Sequence, residues 1–199
     1  MKVGILGGTF DPIHQGHLAL GRCAQEQLGL DKILFIPAFI PPHKAGRHDL
    51  TPAPYRYRMV ELAIAGEPAF EISPMELNRP DISYTVDTLR ALKKKNPAAE
   101  LYLILGEDAL AEMEDWREPD EIRRLATLLV ARREGKNLPF GPSEKKVWLN
   151  MPVCPYSSSE IRRLIQDSKP VSSMLPAGVG DYIREMKLYQ KTSHGNPPS

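Results

Sequence analysis

The chain has 199 residues, 42% of them apolar and 26% charged, an ordinary globular composition with room for a buried core. Lys and Arg number 26 against 25 Asp and Glu, so no net field recruits nucleic acid, and any basic surface is a local patch. Cys23 and Cys154 form no metal-type cluster, no apolar run approaches the roughly 20 residues of a membrane helix, and the first strand begins at once without a basic, apolar leader. The expectation is a reduced, cytoplasmic protein with small-molecule partners, no nucleic acid and no membrane. Residues 1–190 form one domain on this reading and 191–199 a disordered tail, while a homo-oligomer stays open.

Val3 to Leu6 is a short apolar run that meets glycines, and Leu20, Cys23, Ala24 and Leu28 then recur at helical spacing within Gly16 to Leu28. Ile33 to Ile36 predicts the second strand. The stretch from Pro37 to Thr51 has no periodicity, carries His43, Lys44, Arg47 and His48, and is long enough to have a function. Thr51 as N-cap with Pro52 at the first helical position predicts a helix whose apolar stripe is Tyr55, Met59, Leu62 and Ala63. Phe70 to Ile72 reads as the third strand and Ser83 as the cap of a helix from about Tyr84 to Lys95. Leu101 to Leu105 is the clearest buried strand, ending at Gly106. A short helix over Glu107 to Met113, another over Pro119 to Leu125 and a strand over Thr127 to Ala131 follow. Arg132 to Glu144 reads as a surface loop and Val147 to Leu149 as the last strand. Ser157 and Glu160 stand in capping-box spacing before Ile161, Leu164 and Ile165, and a final helix spans about Gly180 to Lys187.

This alternation predicts an α/β fold: a Rossmann-like doubly wound parallel sheet with helices on both faces and a small C-terminal helical part. Ligands of such sheets sit beyond the carboxyl ends of the strands where the strand order reverses, usually between the first and fourth. That gathers the loop after Leu6, the turn at Gly106 and Asp108, and the cap at Ser157 around one site.

Residues 7–18, Gly-Gly-Thr-Phe-Asp-Pro-Ile-His-Gln-Gly-His-Leu, follow the first strand directly. A glycine-rich turn lets backbone N–H groups approach an anion, and the positive end of the next helix points at the same place, so phosphate is the expected guest. His14 and His17 flank that helix start, placed to donate to phosphoryl oxygens; they have no third ligand and no His-Glu-x-x-His pattern, so no protein-held metal is expected. The chain contains no Walker-A motif, no Gly-x-Gly-x-x-Gly and no kinase catalytic loop. A His-x-x-His turn with nearby cations suits direct attack of one phosphate on another, without a covalent intermediate.

Residues 7–18 resemble the signature of the adenylyl-transferring nucleotidyltransferases. Four further segments narrow the resemblance to bacterial-type nicotinate-nucleotide adenylyltransferases: Pro41-Pro42-His43-Lys44, Ser83 to Leu89, Gly106-Glu107-Asp108 with Trp116, and Ser157 to Arg162. The resemblance implies transfer of AMP from ATP to nicotinate mononucleotide, with Mg2+ accompanying ATP. It implies catalytic roles for His14, His17, Lys44 and Arg162, with Gly7, Gly8, Thr9, Phe10, Gly106 and Ser158 completing the ATP site. It also implies that Gly8, Thr9, Ser83, Tyr84, Thr85, Asp108, Trp116 and Arg117 hold nicotinate mononucleotide, Trp116 stacking on the pyridine and the backbone around Thr85 receiving its carboxylate. The family's last motif usually reads Ile-Ser-Ser-Thr-x-Ile-Arg, whereas Tyr156 and Ser159 stand here in place of Ile and Thr. Arg117 occupies a position that is aromatic in some relatives. Pantetheine-phosphate adenylyltransferase and a non-catalytic nucleotide sensor are the alternatives; Ser83 to Leu89 and Trp116 speak against the first, the intact His14, His17, Lys44 and Arg162 against the second.

Overall fold

The computed structural model describes residues 1–46, 49–131, 145–151 and 154–190. Arg47, His48, the expected surface loop over Arg132 to Glu144 and the expected tail 191–199 lie outside the described residues. Six strands pair in parallel: Lys2–Gly8 (β1), Lys32–Pro37 (β2), Phe70–Ile72 (β3), Glu100–Gly106 (β4), Thr127–Ala131 (β5) and Lys146–Leu149 (β6). Their order, β3-β2-β1-β4-β5-β6, is that of the doubly wound sheet expected from the alternation, with the reversal between β1 and β4. Val3 lies opposite Lys32 on one side and Leu101 on the other.

Side chains alternate across the strands and so build two cores. Val3, Ile5, Leu34, Ile36, Leu101, Leu103, Leu128 and Val130 pack on one face; Leu6, Ile33, Phe35, Ile104, Leu129 and Ala131 pack on the other. Gln15–Leu28 (α1), Ala53–Ala63 (α2), Ser158–Gln166 (α6) and Val179–Glu185 (α7) cover the second face, contributing Leu18, Met59, Ile161 and Ile183 among others. Thr85–Lys95 (α3) and Pro119–Leu125 (α5) cover the first through Val86, Leu89 and Ile122, with Glu107–Ala111 (α4) between them in sequence. Among the described residues no helix is long and apolar enough to cross a membrane.

Several local expectations are corrected. Pro52, not Thr51, is the residue before α2, and no side-chain hydroxyl caps that helix. Tyr84, not Ser83, precedes α3; the Ser83 hydroxyl oxygen instead accepts from Phe39 N at 3.0 Å, tying the long loop down. The single helix expected over Glu107 to Met113 breaks after Ala111 into a 3-10 turn, Met113–Asp115, which seals Met113 in the core and leaves Trp116 half-buried. Ser157 accepts from Glu160 N at 3.2 Å as a cap should, while the Glu160 carboxylate lies 3.8 Å from Arg163.

One side chain that the periodicity passes over organises the site's surroundings. Arg56, on α2, is 0% exposed. Its guanidinium donates to Thr51 O at 2.7 Å, Thr9 O at 2.8 Å and Phe39 O at 2.8 Å. Burial pushes it below its ordinary pKa, and the charge of Asp11 opposes that shift. Asp11, itself buried, accepts from the Tyr189 hydroxyl at 2.6 Å and from Thr51 N at 3.4 Å. Burial and Asp11 together push the Tyr189 phenol upward, so it stays protonated and donates. Segments far apart in sequence are thereby fastened to the turn that follows β1.

Replacing Arg56 by Met fills similar volume but leaves three carbonyls without donors and a buried carboxylate without its cation. Removing one partner of such a group costs about 3–5 kcal/mol. For a chain of this size the midpoint of thermal unfolding is expected to fall by roughly 10 °C. An unchanged midpoint in a calorimetric scan would show that the guanidinium does not organise the fold.

Candidate active site

Where β1 and β4 part, the structure opens a cavity of about 780 Å³. Gly7, Gly8 and Thr9 from the end of β1 line one wall together with His14, Gly16 and His17 from the start of α1. Ser83, Tyr84 and Thr85, leading into α3, line another. Gly106, Glu107 and Asp108 at the end of β4 also line it, as do Trp116 and Arg117 beyond the 3-10 turn, and Pro41, Pro42 and His43 of the long loop. Thus twelve of the sixteen residues expected from sequence to bind or catalyse meet around one space. Phe10, Lys44, Ser158 and Arg162 do not line it.

Those four stand around the 9–12 turn instead. Phe10 is 1% exposed, with its backbone in the left-handed region at φ 50 and its ring packed in the core against Gly8 and Phe35. For a bulky residue that conformation is strained, and the buried ring is what holds it. Lys44 Nζ lies 3.1 Å from Thr9 Oγ1. Ser158 Oγ donates to Pro12 O at 2.9 Å, and Arg162 Nη1 donates to Asp11 O at 2.6 Å.

His14 and His17 have defined chemistry. His14 is the N-cap of α1, and its Nδ1 accepts from Gly16 N at 3.2 Å; His14 N in turn donates to His17 Nδ1 at 3.2 Å. A neutral imidazole that accepts at Nδ1 carries its proton on Nε2, so each ring keeps Nε2–H as its remaining donor. The rings lie 3.9 Å apart between centroids, and the Phe10 ring meets His17 edge-on at 5.0 Å. Burial pushes His14 down to about 4. Burial, followed by the charge of His14, pushes His17 well below its ordinary value. Both are therefore neutral donors near pH 7. Gly16 makes the arrangement fit, since a Cβ there would stand 2.9 Å from Cys154 Sγ and 3.0 Å from the His14 ring.

At the opposite wall, Arg117 lies 4.9 Å over the Tyr84 ring and 3.5 Å from Asp87 in the first turn of α3. Trp116 is half-buried against the core below it. Sequence reading missed Glu76 and Thr88, both buried and both lining the cavity, as well as Asp11, Arg56, Tyr189 and Cys154. Arg56 had one legible signal: it stands three residues before Met59, on the stripe that the helix buries. Among the described residues no group of three or more His, Cys, Asp or Glu is placed to hold a metal ion.

A family profile described as cytidylyltransferase-like matches residues 5–164, which contain every segment around this cavity. The chain belongs to that family. A probable nicotinate-nucleotide adenylyltransferase of Dictyoglomus thermophilum is 41% identical over 196 residues, covering 95% of this chain and 100% of the relative. One of the same name from Thermus thermophilus is 42% identical over 190 residues, covering 96% and 100%. In fold, the chain is similar to Plasmodium falciparum nicotinic acid mononucleotide adenylyltransferase complexed with NaAD, at a TM-score of 0.78 and 21% identity, covering 94% of this chain and 97% of that one.

The histidine environment sets a pH dependence of stability. The unfolded chain protonates His14 near 6.5, whereas the folded protein resists until about 4. The unfolded state therefore binds more protons in that window, and stability present above pH 6.5 is lost as pH falls toward 4. Between pH 7 and pH 5, His14 accounts for about 2 kcal/mol of lost stability. His14→Asn, which keeps an N-cap acceptor, should lose correspondingly less over that interval in urea unfolding. Parallel pH profiles for the two proteins would contradict the burial of a neutral imidazole.

Proposed function

We infer that the protein is a nicotinate-nucleotide adenylyltransferase: it transfers the adenylyl group of ATP to nicotinate mononucleotide, giving nicotinate adenine dinucleotide and pyrophosphate. The observation that carries this reading is a single cavity with two neutral Nε2–H donors at one wall and a helix start with a half-buried Trp at another. Relatives above 40% identity along nearly the whole chain bear the name of this activity.

In the reaction, a phosphate oxygen of nicotinate mononucleotide attacks the α-phosphorus of ATP. The bond to the bridging oxygen breaks, and pyrophosphate leaves with the electron pair. Both reactants are anions, so the chain's tasks are to align them and spread the developing charge. Gly7, Gly8 and Thr9 offer main chain to the phosphates, and His14 and His17 donate Nε2–H to oxygens at the α-phosphorus. Phe10 contributes its backbone turn. Lys44 and Arg162 reach the outer phosphates by exchanging their present oxygens on Thr9 and Asp11, with Ser158 holding the turn against α6. Gly106 and Asp108 border the riboses. Mg2+ bound with ATP would neutralise charge on its phosphates, and among the described residues no cluster of His, Cys, Asp or Glu is placed to hold the ion itself.

The pyridine ring stacks on Trp116, and its carboxylate meets the start of α3. There the N–H groups of Thr85 and Val86, in the first turn, have no intrahelical acceptor, and the helix dipole favours an anion. Ser83 and Tyr84 frame this end, and Arg117, over Tyr84, adds a cation beside it. An amide would set its NH2 against donors, so the acid is the preferred substrate.

A pyrophosphate-release assay tests the reading directly. ATP with nicotinate mononucleotide should turn over, ATP with phosphopantetheine should not, and the nicotinamide nucleotide should be used at least roughly tenfold less efficiently. Turnover with phosphopantetheine, or none with either pyridine nucleotide, overturns it. His17→Ala should lower kcat by about 10²–10³ with a much smaller change in ATP affinity, because its bond strengthens as charge develops.

Trp116→Ala should raise KM for nicotinate mononucleotide by about tenfold or more while sparing ATP, as expected from the loss of one stacking platform. Equal losses for both substrates in steady-state kinetics would make Trp116 a packing residue only.

A further inference from the structure

Glu76 lies in the loop between β3 and α3, is 6% exposed, and lines the same cavity as Ser83, Tyr84, Thr85 and Thr88. Its Oε1 accepts from the Thr88 hydroxyl at 2.6 Å, and Thr88 Oγ1 in turn accepts from Arg79 Nη2 at 2.9 Å. Thr88 is 3% exposed and stands one turn after Thr85, on the same face of α3. Burial pushes the Glu76 carboxyl up, while the Thr88 and Ser83 hydroxyls and the charge of Arg79 pull it back. Ser83 also ties this wall to the long loop, through Phe39 N at 3.0 Å and through Ser83 N to Ile40 O at 2.9 Å.

A carboxylate that draws the Thr88 hydroxyl hydrogen toward itself has two effects. It fixes the rotation of α3 about its axis at the first turn, because Thr88 cannot turn without breaking its bond to the buried Glu76 carboxylate and the one it accepts from Arg79. It also keeps that hydroxyl from donating into the cavity, so the backbone N–H groups of the first turn do the reading. By charge alone Glu76 would repel a substrate carboxylate held nearby. The sign of the effect on removing it therefore separates orientation from charge.

We propose that Glu76 is a positioning residue for nicotinate mononucleotide, orienting through Thr88 the first turn of α3 that receives the pyridine carboxylate. The proposal rests on the function inferred above. It adds a specificity-determining group that touches neither substrate.

Isothermal titration with nicotinate mononucleotide, and separately with ATP, tests this without requiring turnover. Glu76→Ala and Thr88→Val should each weaken nicotinate mononucleotide by about tenfold, the worth of one buried hydrogen bond, and change ATP by less than about threefold. The double variant should be no weaker than Glu76→Ala by more than roughly twofold, since both changes break one connection. Glu76→Gln, which keeps an oxygen for Thr88, should recover most of the loss. Tighter nicotinate mononucleotide binding in Glu76→Ala, equal losses for both ligands, or additive losses in the double variant would each overturn the proposal. A parent protein that binds no nicotinate mononucleotide overturns the assigned function as well, whereas a parent that binds and variants that match it overturn the positioning role alone. The ATP titration reports whether each variant is folded, and should Glu76→Ala fail that control, Thr88→Val against Glu76→Gln makes the same comparison.

Discussion

The buried guanidinium of Arg56 is the constraint on which the site depends. A charged group with no exposure is tolerable only when every donor is satisfied and a counter-charge is near. Here each guanidinium nitrogen donates to one main-chain oxygen, of Thr51, Thr9 or Phe39, and the charge of Asp11 opposes the effect of burial. Each of those groups belongs to a loop with no regular hydrogen-bond ladder of its own. One side chain on α2 thus supplies the partners that strands and helices supply elsewhere, and the turn after β1 acquires a fixed shape because its oxygens have nowhere else to go. Tyr189 closes the arrangement from the far end of the chain by donating to Asp11.

Fixing that turn also fixes the tautomers of two histidines. His14 can cap α1 only as an acceptor at Nδ1, and His17 accepts from His14 N in the same way. Their burial keeps both rings neutral. A neutral donor gives up less to desolvation than an imidazolium would, and it needs no counter-ion before substrate arrives. Lys44 and Arg162 rest on oxygens of the 9–12 turn and do not line the cavity, so at the wall formed by this turn and the start of α1 the neutral imidazoles do.

The two ends of the cavity are joined through Phe39. Its carbonyl accepts from Arg56, and its N–H donates to Ser83 at the entry to α3. The wall formed by the glycine turn and the wall at the start of α3 are therefore braced against one short stretch of the proline-rich loop. That gives a loop without periodicity a structural task, beyond the Pro41, Pro42 and His43 that it contributes to the cavity lining.

Strand identity, parallel topology and the meeting of the glycine turn with the β4 end were legible in the chain itself, whereas the α3 start came from the family resemblance and the Ser157 cap expected beside them does not line the cavity. What was legible rests on local patterns: apolar runs that end in glycine, helical spacing, and the rule that a doubly wound sheet opens where its order reverses. A phosphate guest is the expectation that the glycine turn against a helix start raises within residues 7–18. Tertiary structure alone decided how those pieces are held. Ser83 reads as a cap by sequence and is spent on Phe39 instead; Arg56 reads as one charge on an amphipathic helix and is the most buried cation described. Glu76 and Thr88 stand twelve residues apart with nothing in composition or spacing to couple them, and meet at 2.6 Å. Hydrogen bonds between side chains and distant backbone have no periodicity, so partners of this kind are chosen only when the sheet has brought their loops to one end.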